Sequence, residues 1–391
     1  MRMTNVSSER LLSLDVLRGI TIAGMILVNN PGSWGAVYAP LRHAVWHGLT
    51  PTDLVFPFFM FIMGVSACFS LRKYGYRCSG PVLRKIFRRV AVLFLIGLSV
   101  GWFARFCGTF NALSGEELSF WERVGRSCLT FDRMRTLGVM QRLALGYGAA
   151  SLLVVMLPLR FVPWTAGLLL AGYWLVLALG DGFALSENNI VAVVDRVVLG
   201  TAHMYREGDI AFDPEGLLST VPSVAHVLVG FCCGRAVLAG KDLRDKISNL
   251  LLIGAVLMLS GWLLSYGCPI NKKIWSPTFV LLTCGMASSL LGLSMWIVDA
   301  QGRRKWCRFF EVFGVNPLFL YVQSAVLAIL AGNIRFPYGG RMTSLHGFVY
   351  SEWLSPVFGA EMGSLVYALL FVGLNWAAGY VLYRKKIWIR I

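Results

Sequence analysis

Apolar stretches of about twenty residues follow one another along almost the whole chain, at about 11–30, 53–71, 86–107, 138–157, 161–180, 217–238, 247–266, 276–298, 309–332 and 363–383, with polar segments between them. A helix needs ~20 mostly apolar residues to cross the hydrocarbon of a bilayer. The pattern therefore predicts an all-α polytopic membrane helical bundle of about ten transmembrane helices. Asn316-Pro317 interrupts the ninth stretch. The longest polar segments, about 108–137, 181–216 and 333–362, carry no repeat and are too short for a separate soluble domain. Residues 1–391 read as one transmembrane domain whose long segments fold over one mouth of the bundle.

Composition agrees. Of 391 residues, 57% are hydrophobic and 14% charged, and the mean hydropathy is +0.65. Soluble domains carry roughly 25% charged residues. The 41 glycines suit close packing of membrane helices. The net charge of +16 would point to nucleic acid in a soluble protein, but the basic residues cluster between apolar spans. They are read as topology signals and contacts with anionic lipid, not as a nucleic-acid surface. With the N-terminus placed in the cytoplasm, 22 of the 36 Lys and Arg fall in inner segments and 12 in the longer outer ones, Arg18 and Arg142 lying within spans. This bias puts both termini in the cytoplasm. The first apolar stretch is long enough to span, and no small-residue cleavage site follows it. The nine cysteines have no metal-type spacing, and pairing of Cys107 with Cys128 is left open.

The densest candidate chemistry lies between the first two spans, in Leu41-Arg-His-Ala-Val-Trp-His-Gly-Leu-Thr-Pro-Thr-Asp-Leu-Val-Phe-Pro57. His43 is a candidate general base or nucleophile, with His47 as a second base or a hydrogen-bonding neighbour. Thr50-Pro51-Thr52-Asp53 is a helix start, so Asp53 has a capping role. A carboxylate that orients an imidazole is the other role open to it. Asp15 and Arg18, at i and i+3, share a helix face, as an ion pair or with Arg18 as an anchor for an anionic ligand. Asn29 and Asn30 end the first span, where an amide donates to a neighbouring helix or to a developing oxyanion. Arg135, Gln141 and Arg142 lead into the fourth span; Arg142 either snorkels or binds an anion. Asp213-Pro-Glu-Gly216 reads as a turn. No Walker, Rossmann or zinc motif is present.

Several of these stretches resemble the heparan-alpha-glucosaminide N-acetyltransferase family: Leu12-Ser-Leu-Asp-Val-Leu-Arg-Gly19, Val28-Asn29, His43-Ala-Val-Trp-His-Gly-Leu-Thr50 and Asp53-Leu-Val-Phe-Pro57 with Phe61-Ile-Met-Gly64. Gly138-Val-Met-Gln-Arg-Leu143, Phe212-Asp-Pro-Glu-Gly-Leu-Leu-Ser-Thr220, Asn271-Lys-Lys-Ile-Trp-Ser276 and Gly314-Val-Asn-Pro317 extend it along the chain. Two departures stand out. Only about ten residues precede the first span, so the luminal N-terminal region and extra helix of the animal enzyme are expected to be missing. His47 also stands where the animal enzyme has Asn. The chain looks like a bacterial relative, expected in the inner membrane.

The resemblance implies transfer of an acetyl group from cytoplasmic acetyl-CoA, a co-substrate, to the amine of an amino sugar on the far side of the membrane, without a metal. It matches His43 to the family's active histidine, Asn29 and Asp53 to its neighbours, and Arg18 to the basic residue of the first span. Arg18 is then expected near the cofactor phosphates and Arg142 nearer the acyl end, with Gln141 and Arg135 as further cofactor-binding residues. Transfer directly and transfer through an acetyl-histidine both remain open. The expected partners are acetyl-CoA, the glycan acceptor, the lipid bilayer and a second copy in a homodimer. A transporter of a sugar or cell-wall fragment is the alternative function, with the polar groups at membrane depth as its pathway.

Overall fold

A computed structural model describes residues 11–389. Arg2, Arg10 and Arg390 of the topology signal, and both termini themselves, lie outside the described residues. The chain begins with α1 (Leu12–Asn29), runs through the His43 loop into α2 (Val55–Arg72), and returns along α3 (Gly80–Ala112). A short α4 (Phe120–Cys128) follows, then α5 (Val139–Met156) and α6 (Val162–Leu179). Next come α7 (Ile190–Leu199), a hairpin of β1 (Arg206–Glu207) and β2 (Ile210–Ala211), and α8 (Thr220–Ala239). Then come α9 (Leu243–Leu264), α10 (Pro277–Met295), α11 (Cys307–Val315) and α12 (Pro317–Asn333). The hairpin β3 (Arg335–Tyr338) and β4 (Arg341–Ser344), the turns α13 (Leu345–Phe348) and α14 (Ser355–Phe358) and the long α15 (Ala360–Arg384) complete it.

Among the described residues nine helices are long and apolar enough to cross a membrane, or ten if α11 and α12 are one bent span. The fold is the multi-pass helical bundle that the apolar pattern predicts. Two spans differ from the sequence reading in physical detail. The 86–107 stretch is only the middle of α3, which polar residues extend at both ends; at 1.5 Å per residue its 33 residues span roughly 50 Å, so its ends stand clear of the hydrocarbon. The 309–332 stretch breaks at Asn316-Pro317, where the two halves are bent by 84°. Pro317 has no N–H to continue the ladder, and the Asn316 side chain ties the break to the chain end, donating to Ile387 O at 2.9 Å and accepting from Ile389 N at 2.8 Å. All nine cysteines, Cys107 and Cys128 among them, are free.

Packing sorts the helices into a centre and a rim. Two-thirds of the apolar windows of α5 and α8 are buried, against 6% for that of α3, so α3 presents its apolar surface outward, where lipid would lie. The closest contacts use glycine. A Cβ on Gly19 would meet Phe310 O at 1.8 Å, and one on Gly314 would meet Asp15 O at 1.9 Å. The backbones of α1 and α11 therefore touch beside the break. Gly64 and Gly230 do the same for α2 and α8, at 2.2 Å from Val227 O and 2.3 Å from Phe61 O. At its far end α1 is clamped to α15: Gly32 N donates to Ser364 O at 3.2 Å, and Ser33 N donates to Ser364 Oγ at 3.0 Å.

Two outcomes are expected. Gly19→Ala should force α1 and α11 apart and destabilise the bundle by about 1–3 kcal/mol, read as a lower melting temperature in detergent. Trp34 is 67% exposed on the segment between α1 and α2. If the basic bias sets the orientation, a Trp34→Cys protein in intact cells reacts with an impermeant thiol reagent from outside; reaction only after permeabilisation would reverse the topology.

Candidate active site

The loop between α1 and α2 is shaped by polar contacts local in sequence. Asp53 sits in a single 3-10 turn, Pro51–Leu54, ahead of α2, and is 1% exposed. Its two oxygens divide the two roles that the sequence offered. Oδ2 accepts from Thr50 N at 3.1 Å, Thr50 Oγ1 at 2.9 Å and Ala44 N at 3.0 Å, closing the loop on the helix start. Oδ1 faces His43 Nδ1 at 2.6 Å. A carboxylate has no proton to give, so a bond this short puts the hydrogen on Nδ1. That fixes the tautomer and leaves the lone pair on Nε2, which has no hydrogen-bond partner among the described residues. The His43 side chain is 41% exposed, so this nitrogen is open to a reactant.

A third group completes the cluster, and the sequence reading missed it. Lys272 Nζ lies 3.2 Å from Asp53 Oδ1 and 3.0 Å from His43 Nδ1. It arrives on a tight turn built by Asn271, whose Oδ1 accepts from Lys273 N at 2.7 Å and Ile274 N at 3.1 Å. Ser276 Oγ then accepts from Asn271 N and caps α10. The turn is sewn to the His43 loop: Gly48 N, at a positive φ of 109°, donates to Ile270 O at 2.8 Å. Lys273 Nζ donates to Val45 O at 2.6 Å, and Asn271 Nδ2 lies 3.4 Å from His47 Nδ1. Only 18% of the Lys272 side chain is exposed; burial pushes its ammonium below the usual lysine range, against the opposing pull of Asp53. The one signal in the sequence was the stretch Asn271–Ser276, whose polar start and Ser-Pro helix entry mark a built turn.

None of the other expected site residues hydrogen-bonds His43, Asp53 or Lys272, and of them Arg142 reaches the Lys272 turn through Trp275. Asn29 is exposed at the end of α1 and hydrogen-bonds neither His43 nor Asp53. Arg135 is held by Asp213, through Nε at 2.9 Å and through Nη2, and by Glu215. The Asp213 turn thus also serves as an ion-pair partner. Gln141 is buried with its amide against Gly97 of α3. Arg142 does not snorkel. It is fully buried, donates from Nη2 to Gly216 O at 3.0 Å and to Ser219 Oγ, and stacks 5.1 Å over the Trp275 ring. Its Nε and Nη1 have no hydrogen-bond partner among the described residues. Arg18 donates to Asp15 at 2.8 Å, to Gly314 O at 3.3 Å and to Ser66 Oγ at 2.9 Å.

Arg18 also lines a cavity of about 350 Å³ between α1, α2, α3, α5 and the α11–α12 break. Asp15, Arg18, Ile22 and Met25 line it at helical spacing, which makes it roughly 15 Å deep along α1. Arg89 and Ser66 stand with Arg18 at its polar end, and Phe59, Met63, Leu93 and Leu143 give it apolar walls. Arg135, Gln141, Arg142 and His43 are not among its lining residues. The structure thus brings together His43 and Asp53, joins Arg18 to the cavity, sets Arg142 against Trp275 of the Lys272 turn, and leaves Asn29, Arg135 and Gln141 in separate settings.

Comparison with known proteins adds a family. The model of the family described as heparan-alpha-glucosaminide N-acetyltransferase, catalytic, matches residues 10–266. The chain is similar to the heparan-alpha-glucosaminide N-acetyltransferases of Homo sapiens, 27% identical over 438 residues, and Mus musculus, 26% identical over 441 residues. The alignments cover 98% of this chain and 60% and 61% of those proteins. The chain therefore spans about three-fifths of the length of the curated relatives it matches.

Asp195 on α7 gives the site's surroundings a pH dependence. It is fully buried; Oδ1 accepts from Leu217 N and Leu218 N, and Oδ2 has no hydrogen-bond partner among the described residues. Burial pushes its carboxyl up from 3.8 to about 6. The folded protein binds this proton more tightly than the unfolded chain, so the contribution is full below pH ~4 and is lost as pH rises through about 6. The size is about 2–3 kcal/mol at most. Melting curves of Asp195→Asn, which retains the Oδ1 acceptor, should lose this slope between pH 4 and 7 while the parent keeps it.

Proposed function

The chain belongs to the heparan-alpha-glucosaminide N-acetyltransferase catalytic family, and on that footing we propose that it transfers an acetyl group from cytoplasmic acetyl-CoA to the amine of an amino sugar across a bacterial inner membrane. The observation that carries this reading is the His43–Asp53 pair. The imidazole has its Nδ1 proton committed to a buried carboxylate at 2.6 Å and its other nitrogen open, on the loop that leaves the end of α1 opposite to Arg18.

The residues fit both substrates. An amine at neutral pH must lose a proton to become a nucleophile and a second one after it attacks. His43 Nε2 accepts one of these protons while Asp53 steadies the ring and the positive charge it gains, and the other goes to the coenzyme A thiolate that leaves as the C–S bond breaks. Arg18 and Arg89, with the Ser66 hydroxyl, give the cavity a cationic end suited to the phosphates of acetyl-CoA. Its apolar walls suit an uncharged arm leading towards the other face. Asn29, exposed at the end of α1 and with no side-chain hydrogen bond to a described residue, offers its amide to the thioester carbonyl, where a donor stabilises the oxyanion that forms. The buried donors Nε and Nη1 of Arg142 await an acceptor nearer the middle of the bundle. When bound, acetyl-CoA supplies the activated acyl group; the protein supplies orientation, the base and the charge.

Purified protein tests this with labelled acetyl-CoA and a panel of amino sugars. His43→Ala should leave acetyl-CoA binding within about twofold of the parent and cut turnover by a factor on the order of 10² or more, the usual worth of a positioned base. Arg18→Ala should weaken acetyl-CoA binding by about tenfold or more, since a charge-assisted bond to phosphate is worth roughly 1.5–3 kcal/mol. Near-parental turnover in His43→Ala would refute the assignment of the base.

A further inference from the structure

Building on the acetyltransferase reading of His43 and Asp53, we propose that Lys272 is a positioning residue of that site: its ammonium shares the Asp53 carboxylate with His43 and holds the imidazole in its neutral, proton-accepting form. The geometry sets the terms. Asp53 Oδ1 has two suitors, His43 Nδ1 at 2.6 Å and Lys272 Nζ at 3.2 Å, which are themselves 3.0 Å apart. An ammonium donates three hydrogens and accepts none. When Nδ1 carries a hydrogen and gives it to Asp53, Lys272 donates to the same carboxylate. This neutral tautomer, with its lone pair on Nε2, therefore sits beside Lys272 without conflict. The imidazolium does not: it meets a like charge at 3.0 Å. A buried carboxylate alone would hold the ring protonated, and a protonated ring cannot act as a base.

The neighbouring charges are already committed elsewhere. Lys273, on the same turn, pairs with Glu207 at 2.7 Å and with Val45 O. Arg42, beside His43, donates to Val37 O at 2.6 Å and lies 3.7 Å from Glu361. On the segment before α8, Glu215 is held by Arg135 and adds a more distant attraction for Lys272. His47 lies against Asn271. No other cation is within ion-pair distance of Asp53 among the described residues. The turn is also stiff: Trp275 sits at φ 53° with its ring buried against Phe56, Phe279 and His226. Lys272 thus has little freedom to leave.

The test is a titration that does not need the transferase reaction. Protein labelled with ¹⁵N-histidine is followed by NMR in detergent, the His43 resonance being assigned with His43→Asn among the five histidines. In Lys272→Met and Lys272→Gln the His43 titration midpoint should rise by about one pH unit or more, the effect expected for loss of a charge this close. Lys272→Gln keeps an N–H for Asp53, so the loop retains its hydrogen bond. Lys272→Arg, which keeps the charge, and Lys273→Gln should leave the midpoint in place. With an active acceptor, the acid limb of kcat/KM should move up by the same interval in the neutral variants, a loss of about tenfold per unit below it. A midpoint in folded Lys272→Gln that coincides with the parent's overturns the proposal, even if acetyl transfer is confirmed. A raised midpoint in a protein that transfers no acetyl group upholds it and sinks the enzymatic reading alone.

Discussion

A single carboxylate organises the candidate site. Asp53 is almost wholly buried, and a buried charge is tolerated only when its lone pairs are engaged. One oxygen holds the backbone of residues 44 and 50, which fixes the path of the loop. The other meets an imidazole from that loop and an ammonium from a turn 229 residues further on. Loop conformation, ring orientation and the docking of the 271–276 turn are thus coupled through one group. Removing it would free all three, so a loss of activity on mutating Asp53 could not by itself be assigned to chemistry.

A second constraint operates at the opposite end of α1. The mutual glycine contacts of α1 and α11 bring the backbone carbonyl of Gly314 within reach of Arg18. The bend at Asn316-Pro317 then turns α12 aside, and the divergence of α11 and α12 helps to form the cavity that Arg18 lines. Small residues give the close approach and proline gives the departure. The cavity follows from the two together, with its cations at the end where α1 and α11 touch.

What the sequence made legible follows from what is local. Apolar runs gave the spans, because a bilayer imposes a length on each. Asn316-Pro317 marked the bend, because proline breaks a helix by itself. His43 and Asp53 were readable as a pair because ten residues and a capping signal bring them into one loop. Lys272 was not, since its spacing says nothing of the turn that delivers it; by count it was one more basic residue of an outer segment. Arg135 and Arg142 were recognised as cations at membrane depth, but their partners lie 74 to 80 residues away, beyond any periodicity. Asp195 gave no signal, because its burial comes from the loop before α8 folding over it.

The wide separation of these groups also bears on how the protein is made. Seven of the membrane-crossing helices, α1 to α9 without the short α4 and α7, precede Lys272 in the chain, and chains emerge N-terminus first. Asp53 therefore enters the membrane long before its counter-ion exists. Until α9 has crossed and the following turn has emerged, that carboxylate has to stay hydrated or take up a proton. The electrostatic balance of the His43 loop is thus completed only after seven spans are in place, and a chain threaded no further than α9 lacks it.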